Sequence, residues 1–170
     1  MVDLGPLAAC TNLQLLCAYD TPIADLGPLA ACSGLQSLSV SGSQVADLAA
    51  LRWLHELDCH DTRVAHLGPL STCTGLKTLS FNHTAVTDLG PLAACTGLQN
   101  LDCNFTQVAD LGPLTACKGL QNLACIDTLI AGLGPLEACM GLQSLTFSGT
   151  SVTNLGPLAV CTGLQIRAEL

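Results

Sequence analysis

The sequence predicts an α/β repeat solenoid, with short parallel strands on a concave face and short 3₁₀ or irregular turns on a convex face. The first observation is a repeated Leu-Gly-Pro-Leu segment, which begins at Leu4, Leu26, Leu67, Leu89, Leu111, Leu133 and Leu155. The second is its spacing of 22 residues, with one interval of 41 that falls three short of two repeats. The third is composition: aromatic residues make up only 3% of the chain, so Leu, Ala, Val and Cys must fill the core. A fixed period of this length is typical of a solenoid in which each repeat buries its apolar face against its neighbours.

A short strand is predicted in each repeat, at segments such as "LQNLDC". Apolar residues such as Leu101 and Cys103 alternate with polar ones there, which is the two-residue period of a strand. Because equivalent residues of successive repeats stack over one another, the inward residues form the core. The outward residues then form columns across one exposed sheet.

The Gly-Pro segment predicts the corner that follows. Pro91 suits the first position of a short helical turn, where its missing N–H costs nothing. Asp88 is expected to accept a hydrogen bond from the backbone two residues later, in an Asx-turn. Gly97, just past the turn, is expected to adopt a left-handed conformation. The room between the proline and this glycine allows one or two turns.

The repeat reads L-x-x-L-x-[C/F/V/A]-x-x-[T/S]-x-[V/I]-x-D-L-G-P-L-x-x-C-x-G. This pattern resembles the leucine-rich repeat, in the 22-residue class of internalins and the regulatory subunit of protein phosphatase 1. Two features depart from that class: Thr or Ser replaces the usual Asn, and a Cys occupies the convex turn. This Thr/Cys variant is similar to leucine-rich repeat proteins of kinetoplastids. A buried hydroxyl at the Asn position is expected to bond the backbone of its own or the next turn.

The whole chain, 1–170, is predicted to form one solenoid of about 7.5 repeats, with the shortened repeat near 45–66. Neither end carries a separate polar cap, although Arg167 is expected to replace an inward Leu. The chain is therefore interpreted as an uncapped fragment of a larger protein. Uncapped ends also predict end-to-end self-association through unpaired strand edges.

The 11 cysteines fall into ladders rather than the irregular spacing of a disulfide framework. Seven are expected in the convex turns and three at inward strand positions: Cys10, Cys32, Cys73, Cys95, Cys117, Cys139 and Cys161, then Cys59, Cys103 and Cys125. These ten are predicted to behave as small buried hydrophobes. Cys17 aligns with outward positions, so we predict a single accessible and reactive thiol there. Reduced thiols and the lack of a recognisable signal peptide favour an intracellular protein.

The formal net charge of −8 argues against binding to nucleic acid or to an anionic membrane surface. No cofactor motif is present, and the absence of C-x-x-C removes the usual spacing of a zinc site. The sequence therefore predicts a protein without enzymatic activity that binds another protein.

The middle of the concave sheet, around the third to fifth strands, carries the most distinctive side chains. The candidate binding residues are His55, Glu56, Asp58, His60, Lys77, Asn82, His83, Asp102, Asn104 and Phe105. No inward position needs Phe105, which therefore resembles an interface anchor. The excess of acids over the single lysine predicts a partner segment that is basic or rich in amides.

Three alternatives compete with this interpretation. The first is a passive structural or adhesion array whose activity lies in flanking segments. Asp58, His60 and Ser80 superficially resemble a hydrolase triad, but a gently curved sheet offers no water-excluded pocket. A metal ion held by His60, His83 and Asp102 is sterically conceivable, but the sequence places no group beside them that would orient these ligands.

Overall fold

The computed structural model describes residues 2–167, in which eight three-residue strands form one parallel sheet in chain order. The strands are β1 (Leu15–Cys17), β2 (Ser37–Ser39), β3 (Glu56–Asp58), β4 (Thr78–Ser80), β5 (Asn100–Asp102), β6 (Asn122–Ala124), β7 (Ser144–Thr146) and β8 (Gln165–Arg167). Seven 3₁₀ helices occupy Gly5–Ala9, Gly27–Ala31, Gly68–Thr72, Gly90–Ala94, Gly112–Ala116, Gly134–Ala138 and Gly156–Val160. This architecture confirms the predicted solenoid fold.

The sheet register confirms that equivalent residues stack directly. Leu79 of β4 pairs with Leu101 of β5, and Leu101 pairs in turn with Leu123 of β6. All three side chains are buried. They belong to one continuous core of Leu, Val, Ile, Cys and Phe that extends through the stacked coils. Neighbouring 3₁₀ helices pack against one another in the same order, except Gly27–Ala31 and Gly68–Thr72, which are separated by the shortened repeat, so the core lies between the sheet and the helices.

The corners form as the Asp-Leu-Gly-Pro segment predicts. Asp88 Oδ1 accepts a hydrogen bond of 2.7 Å from the N–H of Gly90, and Pro91 lies in the first turn of the helix that follows. The same Asx-turn recurs at five other corners, namely Asp3–Gly5, Asp25–Gly27, Asp47–Ala49, Asp110–Gly112 and Asn154–Gly156. A carboxylate or amide oxygen therefore satisfies a backbone donor where the chain turns toward the convex side.

The threonine hydroxyls at the position of the usual Asn bond the backbone of their own turn. Thr106 Oγ1 donates to the carbonyl oxygen of Cys103 at 2.6 Å. The equivalent threonines make the same bond to the carbonyl three residues earlier: Thr21, Thr62, Thr84, Thr128 and Thr150. One hydroxyl thus closes the turn after each of these strands, at the position that the leucine-rich repeat usually fills with Asn.

Two details predicted from the sequence are wrong, namely the inward position of Arg167 and the left-handed conformation of Gly97. Arg167 pairs with the outward Thr146, while Ile166 pairs with the inward Leu145, because the last strand is shifted by one residue relative to the 22-residue spacing. Gly97 is not among the residues with positive φ. A Cβ built on Gly97 would come no closer than 3.9 Å to the carbonyl oxygen of Leu76, so neither φ nor space requires glycine there.

The shortened repeat loses its helix. The described chain between β2 and β3 contains a turn but no 3₁₀ helix. Leu51 and Leu54 of this segment nevertheless remain in the core, at 2% and 1% exposure. The three missing residues are therefore taken from the convex side, and the strand pairing of β2 with β3 is preserved.

Candidate functional site

A row of left-handed residues follows the strands along the C-terminal edge of the sheet. His83 has φ of 53° and Phe105 has φ of 55°. The equivalent positions in the other coils are also left-handed: Asp20, Gly42, Asp61, Asp127 and Gly149. Gly, Asn, Asp and His tolerate this conformation, whereas a bulky residue rarely adopts it. Phe105 is thus the one bulky side chain in this row.

Two rings of the row stack on each other. The centroids of His83 and Phe105 lie 4.3 Å apart, and their planes differ by 10°. This separation is close to the spacing of ~4.8 Å between neighbouring strands, so the stack is directed along the solenoid axis. Phe105 remains 45% exposed even with one face covered by His83.

Hydrogen bonds hold the polar side chains beside these rings. Asp102 accepts from Asn82 Nδ2 at 3.0 Å and from the N–H of Asn104 at 3.1 Å. Asn104 Oδ1 in turn accepts from the N–H of Ile126 at 2.6 Å. In the neighbouring coil His60 Nδ1 donates to Asp58 Oδ1 at 2.7 Å. We call these seven residues the aromatic edge: Asp58, His60, Asn82, His83, Asp102, Asn104 and Phe105.

The other three predicted site residues lie on the opposite edge. His55 precedes β3, Glu56 is its first residue, and Lys77 precedes β4. Glu56 Oε2 accepts a hydrogen bond of 3.1 Å from Ser37 Oγ. Three strand residues span about 10 Å, so these side chains are separated from the aromatic edge by the width of the sheet. The structure therefore divides the predicted site into two edges.

A shallow trough that the sequence prediction did not single out crosses the concave face over β4–β7. Its volume is about 300 Å³, and its walls include Thr78, Ser80, Asn100, Asp102, Asn122, Ala124, Ser144 and Thr146. Asn122 Nδ2 donates to Asn100 Oδ1 at 2.6 Å, and Asn100 Nδ2 donates to Thr78 Oγ1 at 3.2 Å. The repeated amide at this outward position was the available signal, because aligned repeats place the two asparagines side by side.

The hydrolase and metal alternatives gain no support from the geometry. His60 is placed between two carboxylates, with Nδ1 at 2.7 Å from Asp58 and Nε2 at 4.0 Å from Asp61. Neither contact directs the imidazole to the hydroxyl of Ser80. Within residues 2–167, no group of three or more His, Cys, Asp or Glu side chains is arranged to hold a metal ion. No helix in that range combines the length and the apolar character needed to cross a membrane.

Burial divides the 11 thiols into two groups. Cys10 and Cys17 are exposed, and the other nine are buried. The prediction that Cys10 is buried is wrong, because no preceding coil of this chain covers it, whereas Cys32 in the next coil donates its S–H to the carbonyl oxygen of Leu7. Burial raises the pKa of Cys59 and Cys125 to about 12. Burial, followed by the neighbouring thiols, raises the pKa of Cys95 and Cys117 to about 11.

Thiol labelling is expected to distinguish these groups. At pH 8 an excess of iodoacetamide should modify Cys10 and Cys17 in the folded protein, because the thiolate is the reactive form and both side chains are accessible. The nine buried thiols should react only after unfolding in guanidinium chloride. Mass spectrometry of the intact protein counts the adducts, and Cys17→Ser should reduce the native count from two to one. Rapid native modification of Cys59 or Cys95 would contradict the assigned burial.

Sequence comparison matches a leucine-rich repeat family model, spanning two copies, to residues 74–116. No curated protein matched the sequence.

Structural comparison gives matches over nearly the whole chain. An internalin, InlF of Listeria monocytogenes, is 23% identical with a TM-score of 0.87, covering 100% of this chain and 58% of InlF. InlC2 of the same organism is 22% identical with a TM-score of 0.77, covering 95% of this chain and 84% of InlC2. A leucine-rich repeat protein of Leptospira interrogans is 13% identical with a TM-score of 0.77, covering 95% and 50%. This chain thus spans less than two thirds of InlF, and the similarities concern the fold.

Proposed function

We propose that this chain, which is a leucine-rich repeat protein, binds a partner protein at the aromatic edge of its concave sheet. The observation that carries the proposal is Phe105, a half-exposed aromatic ring on a left-handed backbone. A non-glycine residue in this conformation costs roughly 1–2 kcal/mol, and the equivalent coils use Asp, His or Gly. The fold therefore does not require Phe105, and exposed aromatic side chains are frequent anchors of protein interfaces.

The pre-formed surroundings of the ring support the same function. Asp58, Asn82 and Asp102 are held by hydrogen bonds within the sheet, so little side-chain freedom is lost when a partner binds. Asp58 and Asp102 add two carboxylates to the aromatic edge, and the net charge of the chain is −8. A basic or amide-rich segment of the partner fits this surface by charge and by hydrogen bonding.

The opposite edge extends the proposed interface. His55, Glu56 and Lys77 would contact a partner wide enough to cross the three-residue strands, and the amide-lined trough over β4–β7 lies between the two edges. A solenoid commonly binds along such an extended concave surface. In this arrangement the aromatic edge supplies most of the affinity and the remaining contacts supply complementarity.

Capture of partners by variant proteins tests the proposal. Purified protein is immobilised as wild type, His60→Ala, Phe105→Ala or Tyr19→Ala, and bound proteins are quantified by mass spectrometry. Tyr19 is the matched control, because it is an exposed aromatic residue at the position equivalent to His60 in the first coil. Loss of Phe105 should weaken binding by about 2 kcal/mol, or about 30-fold, while Tyr19→Ala retains it. Circular dichroism should be unchanged in all variants.

Two results would argue against this function. If the Phe105→Ala variant and the wild type capture equal amounts of partner protein, the aromatic edge is not the binding surface. Failure of the wild type to retain any specific protein would favour the second candidate, a passive structural or adhesion array that acts through other segments.

End-to-end association of copies is a separate prediction about partners. The edge strands β1 and β8 carry the half-exposed apolar side chains of Leu15 and Ile166. Unpaired parallel edges of this kind can pair with another chain.

A further inference from the structure

The second face of the Phe105 ring is directed toward the sixth coil. His83 covers the face toward the fourth coil, and the two rings are nearly parallel at 4.3 Å. The N–H of Phe105 donates to the carbonyl oxygen of Ile126, so the next coil along the same axis presents its left-handed residue, Asp127, beside the ring. The residue of the sixth coil that would carry a third ring of the stack is therefore Asp127, which has a short carboxylate side chain instead.

The Asp127 carboxylate leans away from the ring. A Cβ built on Gly149, the left-handed residue of the seventh coil, would collide with the side chain of Asp127. Because Gly149 has no side chain, the carboxylate of Asp127 fits over the seventh coil. The side chain of Asp127 thus lies toward the seventh coil, and Phe105 is 45% exposed.

We propose that this position is a slot for a planar cation, the guanidinium group of an arginine side chain of the partner protein. The guanidinium stacks on the second face of Phe105 and pairs with the carboxylate of Asp127, which continues the stack of His83 and Phe105 by one layer. The inference rests on the proposed function, because it specifies the partner chemistry that the aromatic edge selects. It adds Asp127 and Gly149 to the binding surface.

Arginine fits the slot better than lysine. Its guanidinium is planar and weakly hydrated, and it can stack on an aromatic face while its N–H groups bond a carboxylate at the rim. A lysine ammonium is compact and strongly hydrated, so it gains the charge attraction without the stacking. Glutamine supplies a planar amide without the charge.

Titration followed by NMR tests the slot directly. The ¹⁵N-labelled protein is titrated with N-acetyl-arginine amide, and separately with the corresponding citrulline and lysine derivatives, at low salt. Arginine should cause saturable shifts at the amides of Phe105, Asp127 and Gly149, with a dissociation constant in the millimolar range. Citrulline, which is isosteric but uncharged, and lysine should bind about 3- to 10-fold more weakly.

Three substitutions identify the contacts. Phe105→Leu removes the ring and Asp127→Asn removes the charge, and each should weaken arginine binding about 3- to 10-fold. Asp20→Asn is the matched control: Asp20 has the same left-handed backbone and leans over Gly42 in the same manner, but its neighbour in the row of left-handed residues is Gly42, not an aromatic ring. The Asp20→Asn variant should bind N-acetyl-arginine amide as tightly as the wild type does.

The slot is rejected if the arginine derivative gives no saturable shift or if the citrulline derivative binds as tightly as the arginine derivative. It is also rejected if Asp20→Asn weakens binding of the arginine derivative as much as Asp127→Asn does. This outcome is distinct from failure of the proposed function. Phe105-dependent capture of a partner together with failed arginine binding would overturn the slot alone, whereas capture insensitive to Phe105→Ala would overturn the interface itself.

Discussion

Raising the pH above about 9 is expected to unfold the solenoid cooperatively while it remains stable at neutral pH. The ordinary pKa of a cysteine thiol is 9.0, and burial raises the pKa of Cys59 and Cys125 to about 12. Between these values the unfolded chain releases thiol protons that the folded chain must retain. Stability is therefore unaffected by these thiols below about pH 9 and decreases as the pH rises toward 12. Three pKa units correspond to roughly 4 kcal/mol for Cys59 alone.

The chain itself offers the control for this experiment. Val40 fills the inward position in the second coil that Cys59, Cys103 and Cys125 fill in others, and it is fully buried. The triple substitution of these cysteines by valine should raise the midpoint of alkaline unfolding by about one pH unit. Circular dichroism with a phosphine reductant measures both midpoints, and return to pH 7 should restore the spectrum. Equal midpoints would show that other groups, such as lysines, cause the transition.

Leu101→Ala is expected to destabilise the protein by about 2–5 kcal/mol. Leu101 is the central residue of β5, is 2% exposed and packs between the equivalent leucines of β4 and β6. The substitution removes three buried carbons and leaves a cavity that stacked coils on both sides hold open. Because each coil of a solenoid contacts only its neighbours, the loss in the middle of the array also weakens the coupling between its two halves.

Urea unfolding followed by circular dichroism measures this loss. The midpoint should fall strongly, and the transition should broaden if the halves unfold separately. Leu15→Ala is the matched control, since Leu15 is an outward residue of β1 and is 58% exposed. It should change stability by less than about 0.5 kcal/mol. A similar effect of both substitutions would contradict the assignment of inward and outward columns.

Sequence reasoning placed the strands and corners well because every coil repeats the same local interactions. Asp88, Pro91 and Thr106 each act within three residues of their own position, through an Asx-turn, a helix start and a hydroxyl–carbonyl bond. Local interactions of this kind can be predicted from spacing alone. The aligned columns then followed, because the parallel register of β4 with β5 equals the repeat period.

The candidate site could be predicted only in part. The columns correctly brought Asp58, His60 and Asp102 to the outward side of the sheet. They did not show that His55 and Lys77 lie across the sheet from Phe105, because an outward residue can belong to either edge of a strand. The stack of His83 on Phe105 was also hidden, since it depends on backbone conformation and ring orientation rather than on spacing.

The sequence by itself determined the coil: its 22-residue period, its inward Leu and Cys columns and its corners, because these depend on contacts within one repeat or with its copy. Tertiary structure alone decided which groups remain accessible and how they are oriented. Cys10 is exposed although its equivalents are buried, since burial depends on whether another coil covers the residue. Asp127 leans over Gly149, because the neighbouring coil lacks a Cβ at that point. These differences arise because equivalent positions of the repeat have different neighbours in the adjacent coils.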